Sequence, residues 1–394
     1  MERFRVRRYH SLDALRAAMM LLGLVLHSAA SYTRTPLRAV WPYHDAHNSV
    51  VFDLLLFFIH IFRMPTFFVV AGFFAALLYH RDGAPGFARN RAMRVALPLV
   101  LFWGVMTPAL LAGFMFSARR AGLPLPWDVV PEQSLLRQPI LGHLWFLYYL
   151  LLFYAAALAV VPLAARGPGS LRTRAAAVFH AIAATRWGAV MMAGVTAATL
   201  LPMSEPGIDT HAALLVPAKV LVAYGVFFGF GWVLFGHQDV LTTYRTRWKG
   251  FLAGGALASV AYLFVVGTRL IPDAAARHAG GVALAGLSIW LSIFGIAGLF
   301  LRYMEKPRPV VRYLSDASYW MYLTHLVATA WLPGVLARAD AHAFVKFTFV
   351  FGLTTLITLM TYHYFVRSTV IGALLNGRRY PRALPQAAPR EAEV

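Results

Sequence analysis

Arg16 and His27 lie eleven residues apart in an almost wholly apolar run, Ser11 to Thr33, long enough to cross a bilayer. At about 100° per residue, eleven steps come to roughly 1100°, within about 20° of three turns, so both side chains leave one helix face about 16 Å apart. A neutral imidazole can take a proton near neutral pH, and a guanidinium can hold an anion. Ionisable groups inside a membrane are expensive, and they mark a site, a relay or a pathway.

Further along, the stretch from Phe57 to Phe74 carries His60, Arg63 and Pro65 near mid-span, with His60 and Arg63 on one face at i, i+3. Proline in mid-helix removes a hydrogen bond and is expected to break the span there, against a protein-lined or watered cavity. Arg63 would serve that cavity, or else pair with a structural carboxylate such as Asp13, Asp53 or Asp316. Arg89, Arg91 and Arg94 crowd the mouth of the next span, with Arg91 and Arg94 on one face. Their planar forks suit the phosphates of a nucleotide-like ligand, or else anionic lipid. His143 and Trp145 open a later span, where Trp145 also fits an interfacial aromatic belt. Lys219 is a further buried cation that needs a partner. Tyr319, Tyr322 and His325 recur every three residues, a polar stripe that reads equally as a helix-to-helix network or as substrate contacts. The histidines are scattered over different spans without short ligand spacing, and Cys is absent, so neither a metal site nor a disulfide is expected.

The elements that must position these residues are helices in lipid. Hydrophobic residues form 59% of the 394 and charged ones 13%, more apolar than a soluble core of that size requires. Stretches near spanning length fall at roughly 11–33, 50–80, 94–116, 143–165, 187–202, 212–235, 250–268, 282–301, 317–337 and 345–366. The expected fold is therefore all-α, a polytopic membrane protein of about ten transmembrane helices. Two thirds of the 36 Lys and Arg fall in loops on the N-terminal side, which by the positive-inside rule puts both termini in the cytoplasm. The net charge of +20 is then topology facing anionic headgroups rather than a nucleic-acid footprint. A basic segment over 1–10 would precede a membrane domain over 11–366, followed by a solvated, disordered cytoplasmic tail over 367–394. No loop is long enough for a second folded domain; the longest, about 117–142, holds four prolines. The first span runs on without a small-residue cleavage site and reads as a retained anchor.

Taken in order, several segments resemble the membrane acyltransferase-3 family, and within it the glucan biosynthesis protein C group, along most of the chain. They are the Arg16 to His27 pair, Phe58-Ile-His-Ile-Phe-Arg-Met-Pro-Thr-Phe-Phe68, Arg91-Ala-Met-Arg94, His143-Leu-Trp-Phe-Leu147 and Ser318-Tyr-Trp-Met-Tyr-Leu-Thr-His325. One departure is Val69-Val-Ala-Gly-Phe-Phe74, where family members often carry Ser before Gly. The extra C-terminal extracytoplasmic domain of some members is not expected here.

The resemblance implies transfer of an acyl group, succinyl or acetyl, from cytoplasmic acyl-CoA to a hydroxyl of a periplasmic glucan or other saccharide, at a bacterial inner membrane and without a metal. It gives the residues a division of labour. Arg89, Arg91 and Arg94 would hold the nucleotide of the donor. His27 would be the base, with a transient acyl-histidine as the other route, and Arg16 would anchor the donor or orient the helix. Arg63 or His60 would steady developing negative charge. His143, Trp145, Lys219, Tyr322 and His325 would contact substrate, with Arg63 and Lys219 the candidates for a succinyl carboxylate. The rival reading is a proton-coupled transporter or a flippase of a glycan or lipid-linked sugar, which would use the same buried charges without covalent chemistry. Whether two copies form a homodimer is left open by the sequence.

Overall fold

A computed structural model describes residues 9–37, 40–124, 141–268 and 271–382. Most of the expected basic N-terminal segment, most of the proline-bearing loop and the tail beyond Arg382 lie outside the described residues. Among the described residues twelve α-helices follow in order: α1 (His10–Ala29), α2 (Val50–Arg91), α3 (Leu97–Ala121), α4 (Trp145–Arg166), α5 (Gly169–Ala183), α6 (Gly188–Leu200), α7 (Ala218–Leu234), α8 (Leu241–Gly267), α9 (Ala274–Tyr303), α10 (Pro309–Val335), α11 (Ala343–Thr361) and α12 (Val370–Asn376). Among the described residues there is no β-strand element.

The chain is an all-helical, multi-pass membrane protein. Leu163, Leu257, Phe264 and Val345 stand exposed on outward helix faces, an arrangement that suits hydrocarbon rather than water. Each expected apolar stretch falls on a helix. By length and composition alone, however, six segments qualify as spans among the described residues, or seven if α5 and α6, bent by 112°, are one broken span. The difference has local causes. The α2–α3 run qualifies as one segment of 72 residues, α7 has only 17, and α10 is diluted by its polar stripe.

Two local expectations are corrected. The long second span is not broken at Pro65, which lies buried within continuous helix; the non-helical residue is Gly83, at φ 68° and ψ 176°, a conformation open to glycine. The solvated extension expected from 367 begins with an ordered piece, α12, whose Asn376 side chain donates to the Asp316 carbonyl.

α1 is the central helix, packed against α10, α2, α9 and α11. Small residues let neighbouring backbones approach: a methyl at Gly72 would run into the carbonyl of Phe228, and one at Gly231 into that of Val69, where α2 crosses α7. Beyond α1 the described residues 33–37 and 40–49 fold back as a cap. Its anchor is an ion pair in which both side chains are buried, Lys346 Nζ lying 2.9 and 3.1 Å from the two Asp45 carboxylate oxygens. Tyr43 donates to the same carboxylate at 2.9 Å, and burial together with Asp45 pushes its phenol well above the ordinary range.

Candidate active site

His27 sits in the last turn of α1, where the helix gives way to a 3₁₀ turn at Ala30–Tyr32. Its Nδ1 lies 2.8 Å from His325 Nε2, bringing together two residues 298 apart in sequence. The other nitrogen of His325, Nδ1, lies 2.9 Å from the Met321 carbonyl and 2.8 Å from that of Tyr322. Against the other side of His27 the cap lays Trp41, ring centres 5.9 Å apart and planes within 2°, and Trp41 is itself held by an indole N–H bond to Ser31 at 2.9 Å. His27 Nε2 makes no hydrogen bond among the described residues, and the side chain is only half-buried.

Arg63 reaches this group from α2. It is 7% exposed, and its Nε donates to the Met19 carbonyl at 3.1 Å. Its guanidinium lies against Gly23, one turn before His27, so closely that a β-carbon there would stand 2.5 Å from Nη2. The three carboxylates expected as structural partners are engaged elsewhere. Asp13 pairs with Arg16, Asp53 accepts from the backbone of Arg34 and Thr35, and Asp316 accepts from Tyr380. Among the described residues no carboxylate pairs with Arg63, which leaves a buried cation with capacity for an anion.

The remaining candidates divide. His60 donates from Nδ1 to the Leu56 carbonyl of its own helix at 3.2 Å, and its side chain stands exposed. His143 is buried beside His325, ring centres 5.4 Å apart, with Nε2 3.3 Å from the Leu323 carbonyl. Trp145 belongs to an aromatic cluster with Phe68, Tyr149 and Tyr224 and fits neither a belt nor an open contact. Lys219 is not buried without a partner: it is one-third exposed, donates to the Pro202 carbonyl at 3.1 Å and lies 3.8 Å from Asp209. Arg16 points toward the opposite end of α1, paired with Asp13 at 3.3 Å and set over the Phe74 ring.

At that basic end Arg91 precedes a π-helical turn, Ala92–Ala96, and Arg94 lies within it, the kind of local widening that re-aims side chains. Arg91 lies over the rings of Phe87 and Tyr154, and Arg94 is covered by Gly377 just past α12, where any β-carbon would overlap the guanidinium. Arg89 is exposed. The stripe on α10 resolves as a network: Tyr319 donates to the Arg94 carbonyl at 2.8 Å, Tyr322 to the His143 carbonyl at 2.7 Å, and His325 meets His27. Sequence reasoning missed Gly23, Trp41, Gly377 and the Asp45–Lys346 pair. Of these only Gly23 carried a signal, its place four residues before His27 on the same face.

Chemically, the site offers a partly accessible imidazole, a second imidazole bonded to it, and an unneutralised guanidinium. No group of three or more metal-ligating side chains occurs among the described residues.

The family described as acyltransferase domain matches residues 9–363. Proteins named glucans biosynthesis protein C from Salmonella paratyphi A, Salmonella agona and Salmonella heidelberg are each 23% identical over 378 residues, covering 94% of this chain and 95% of the relative. No solved structure matches.

Proposed function

The chain belongs to the acyltransferase-3 family, a membrane acyltransferase by that membership, and from this premise we propose that it moves an acyl group from acyl-CoA to a saccharide hydroxyl. A glucan is the favoured acceptor, in keeping with the name of its relatives, and succinyl the favoured acyl unit, because Arg63 offers a buried cation for its distal carboxylate. The charge asymmetry of the loops supports ten crossings of a bacterial inner membrane with both termini in the cytoplasm, so that Arg91 and Arg94 face the donor pool and His27 lies nearer the outer face.

The observation that carries this reading is the pairing of His27 with His325, with the buried Arg63 set against Gly23 one helical turn away on α1. A thioester is already activated, so transfer needs a base for the acceptor hydroxyl and a cation for the tetrahedral oxyanion. His27 suits the first role through its free Nε2. Arg63 suits the second, and in the succinyl case it also suits the distal carboxylate of the acyl group. The position of His27 in the last turn of α1 helps, because carbonyls at a helix C-terminus favour the imidazolium formed during transfer.

The test is direct: protein in lipid nanodiscs receives labelled succinyl-CoA or acetyl-CoA and a glucan acceptor, and wild type is compared with His27→Ala. Labelled glucan from wild type alone is expected. Transfer undiminished in the variant would overturn the assignment, and movement of glycan across a bilayer without acylation would replace the enzyme by a carrier.

A further inference from the structure

His325 is fully buried, and both of its ring nitrogens are occupied by the protein. It therefore has no group left to offer a substrate. Its Nδ1 faces two backbone carbonyls, which only accept, so the ring proton of neutral His325 resides on Nδ1. Nε2 then carries the lone pair. A protonated His325 would be a buried cation with no carboxylate in contact with its ring among the described residues, an expensive arrangement inside a membrane. Since Nε2 accepts, the partner at 2.8 Å must donate, and the proton of neutral His27 is fixed on Nδ1.

We infer that His325 is a positioning residue that selects the reactive tautomer of His27, holding Nδ1–H and leaving Nε2 as the base. The inference deepens the acyl-transfer reading and rests on it. In the step it serves, the acceptor O–H proton passes to His27 Nε2 as the oxygen bonds the thioester carbonyl carbon. The tetrahedral intermediate then expels the thiolate as the C–S bond breaks, and the Nε2 proton goes to that sulfur. Between the two transfers His27 is an imidazolium whose Nδ1–H bond to neutral His325 becomes charge-assisted. A neutral orienting group has a specific advantage at this place. A carboxylate there would also be drawn to Arg63 and would cancel the cation that the oxyanion requires.

The experiment combines spectroscopy with kinetics. Protein labelled with ¹⁵N-histidine in nanodiscs is examined by long-range ¹H–¹⁵N correlation, with the His27 signals assigned by their loss in His27→Ala. A protonated Nδ1 and bare Nε2 are expected in wild type, and a gain of the Nε2–H form in His325→Leu. The same variant should lose about 100-fold or more in kcat while KM for donor and acceptor stays within about twofold. His325→Gln, whose amide oxygen can accept from Nδ1–H, should restore most of that loss. An Nε2–H form in wild type, or a raised acceptor KM with kcat retained, would overturn the inference. If wild type transferred no acyl group from any donor, the functional reading would fall, while the spectrum would still decide the tautomer.

Discussion

Gly23→Ala tests whether Arg63 acts from where it stands. A β-carbon at residue 23 would lie 2.5 Å from Arg63 Nη2, 3.1 Å from Cζ and 3.6 Å from Nε. Non-bonded heavy atoms settle near about 3.5 Å, so the guanidinium must retreat by about 1 Å. That displacement stretches the 3.1 Å bond from Nε to the Met19 carbonyl beyond hydrogen-bonding range and moves the charge off the His27 level. Removing one preorganised donor from a developing oxyanion raises the barrier by about 2.7–4 kcal/mol, or about 10²–10³-fold in kcat. The backbone effect runs the other way, since alanine within a helix is favoured over glycine by about 1 kcal/mol. The expected variant is thus folded, no less stable to heat, and nearly inactive. Gly104→Ala on α3, where an added β-carbon meets nothing within 4 Å, is the control. The assay is acyl transfer in nanodiscs beside thermal unfolding, and a Gly23→Ala, Arg63→Gln double variant should be no slower than the slower single one. Turnover of Gly23→Ala matching that of Gly104→Ala, at equal stability, would refute the assignment of Arg63.

Gly377→Ala should displace Arg94 and raise the KM for acyl-CoA about tenfold, as loss of a charge-assisted contact would, while the acceptor KM stays put; initial rates against each substrate check this. Lys346→Met leaves the Asp45 carboxylate buried without its cation and should cost about 3–5 kcal/mol in thermal unfolding, most of it recovered by adding Asp45→Asn. Lys219→Gln should leave the ratio of succinyl to acetyl transfer unchanged because its ammonium serves Pro202 and Asp209, whereas Arg63→Gln should lower succinyl use more than acetyl use; competition between the two donors measures both.

The helices were legible because lipid imposes long apolar runs, and every expected run falls on one. α5 was not, since its Arg172 and Arg174 on a short, weakly apolar segment read as loop charge. Pro65 misled for a physical reason. Proline deletes one hydrogen bond, but tight packing of α2 against α7 holds the helix through it, and the break falls instead at Gly83, whose positive φ favours glycine. The expense of burying charge singles out His27, His60 and Arg63 in the sequence; the structure buries Arg63, leaves His27 half-buried and leaves His60 exposed. Their partners were not legible: spacing within one helix fixes which side chains share a face but says nothing of which other helix that face meets. His325 accordingly reads equally as a network member or a substrate contact and Lys219 as a lone cation, whereas the tertiary contacts join His325 to His27 and give Lys219 the Pro202 carbonyl and Asp209.

The α10 stripe ties the two ends of the proposed reaction to one rigid body. Tyr319 holds the backbone of Arg94 and His325 holds His27, six residues further along the same helix, a rise of about 9 Å. Between them Tyr322 fixes the backbone of His143. Sliding α10 by one residue's rise, about 1.5 Å, would strain all three bonds together, so the interval between the donor mouth and the base is set by helix geometry and not by a mobile loop. That fixed interval bears on the class of donor. A small acyl phosphate gripped at Arg91 and Arg94 would keep its carbonyl at the level of the arginines, more than a helical turn from His27. A donor whose phosphates and thioester are separated by a long flexible arm can satisfy both levels at once, and acyl-CoA has that form.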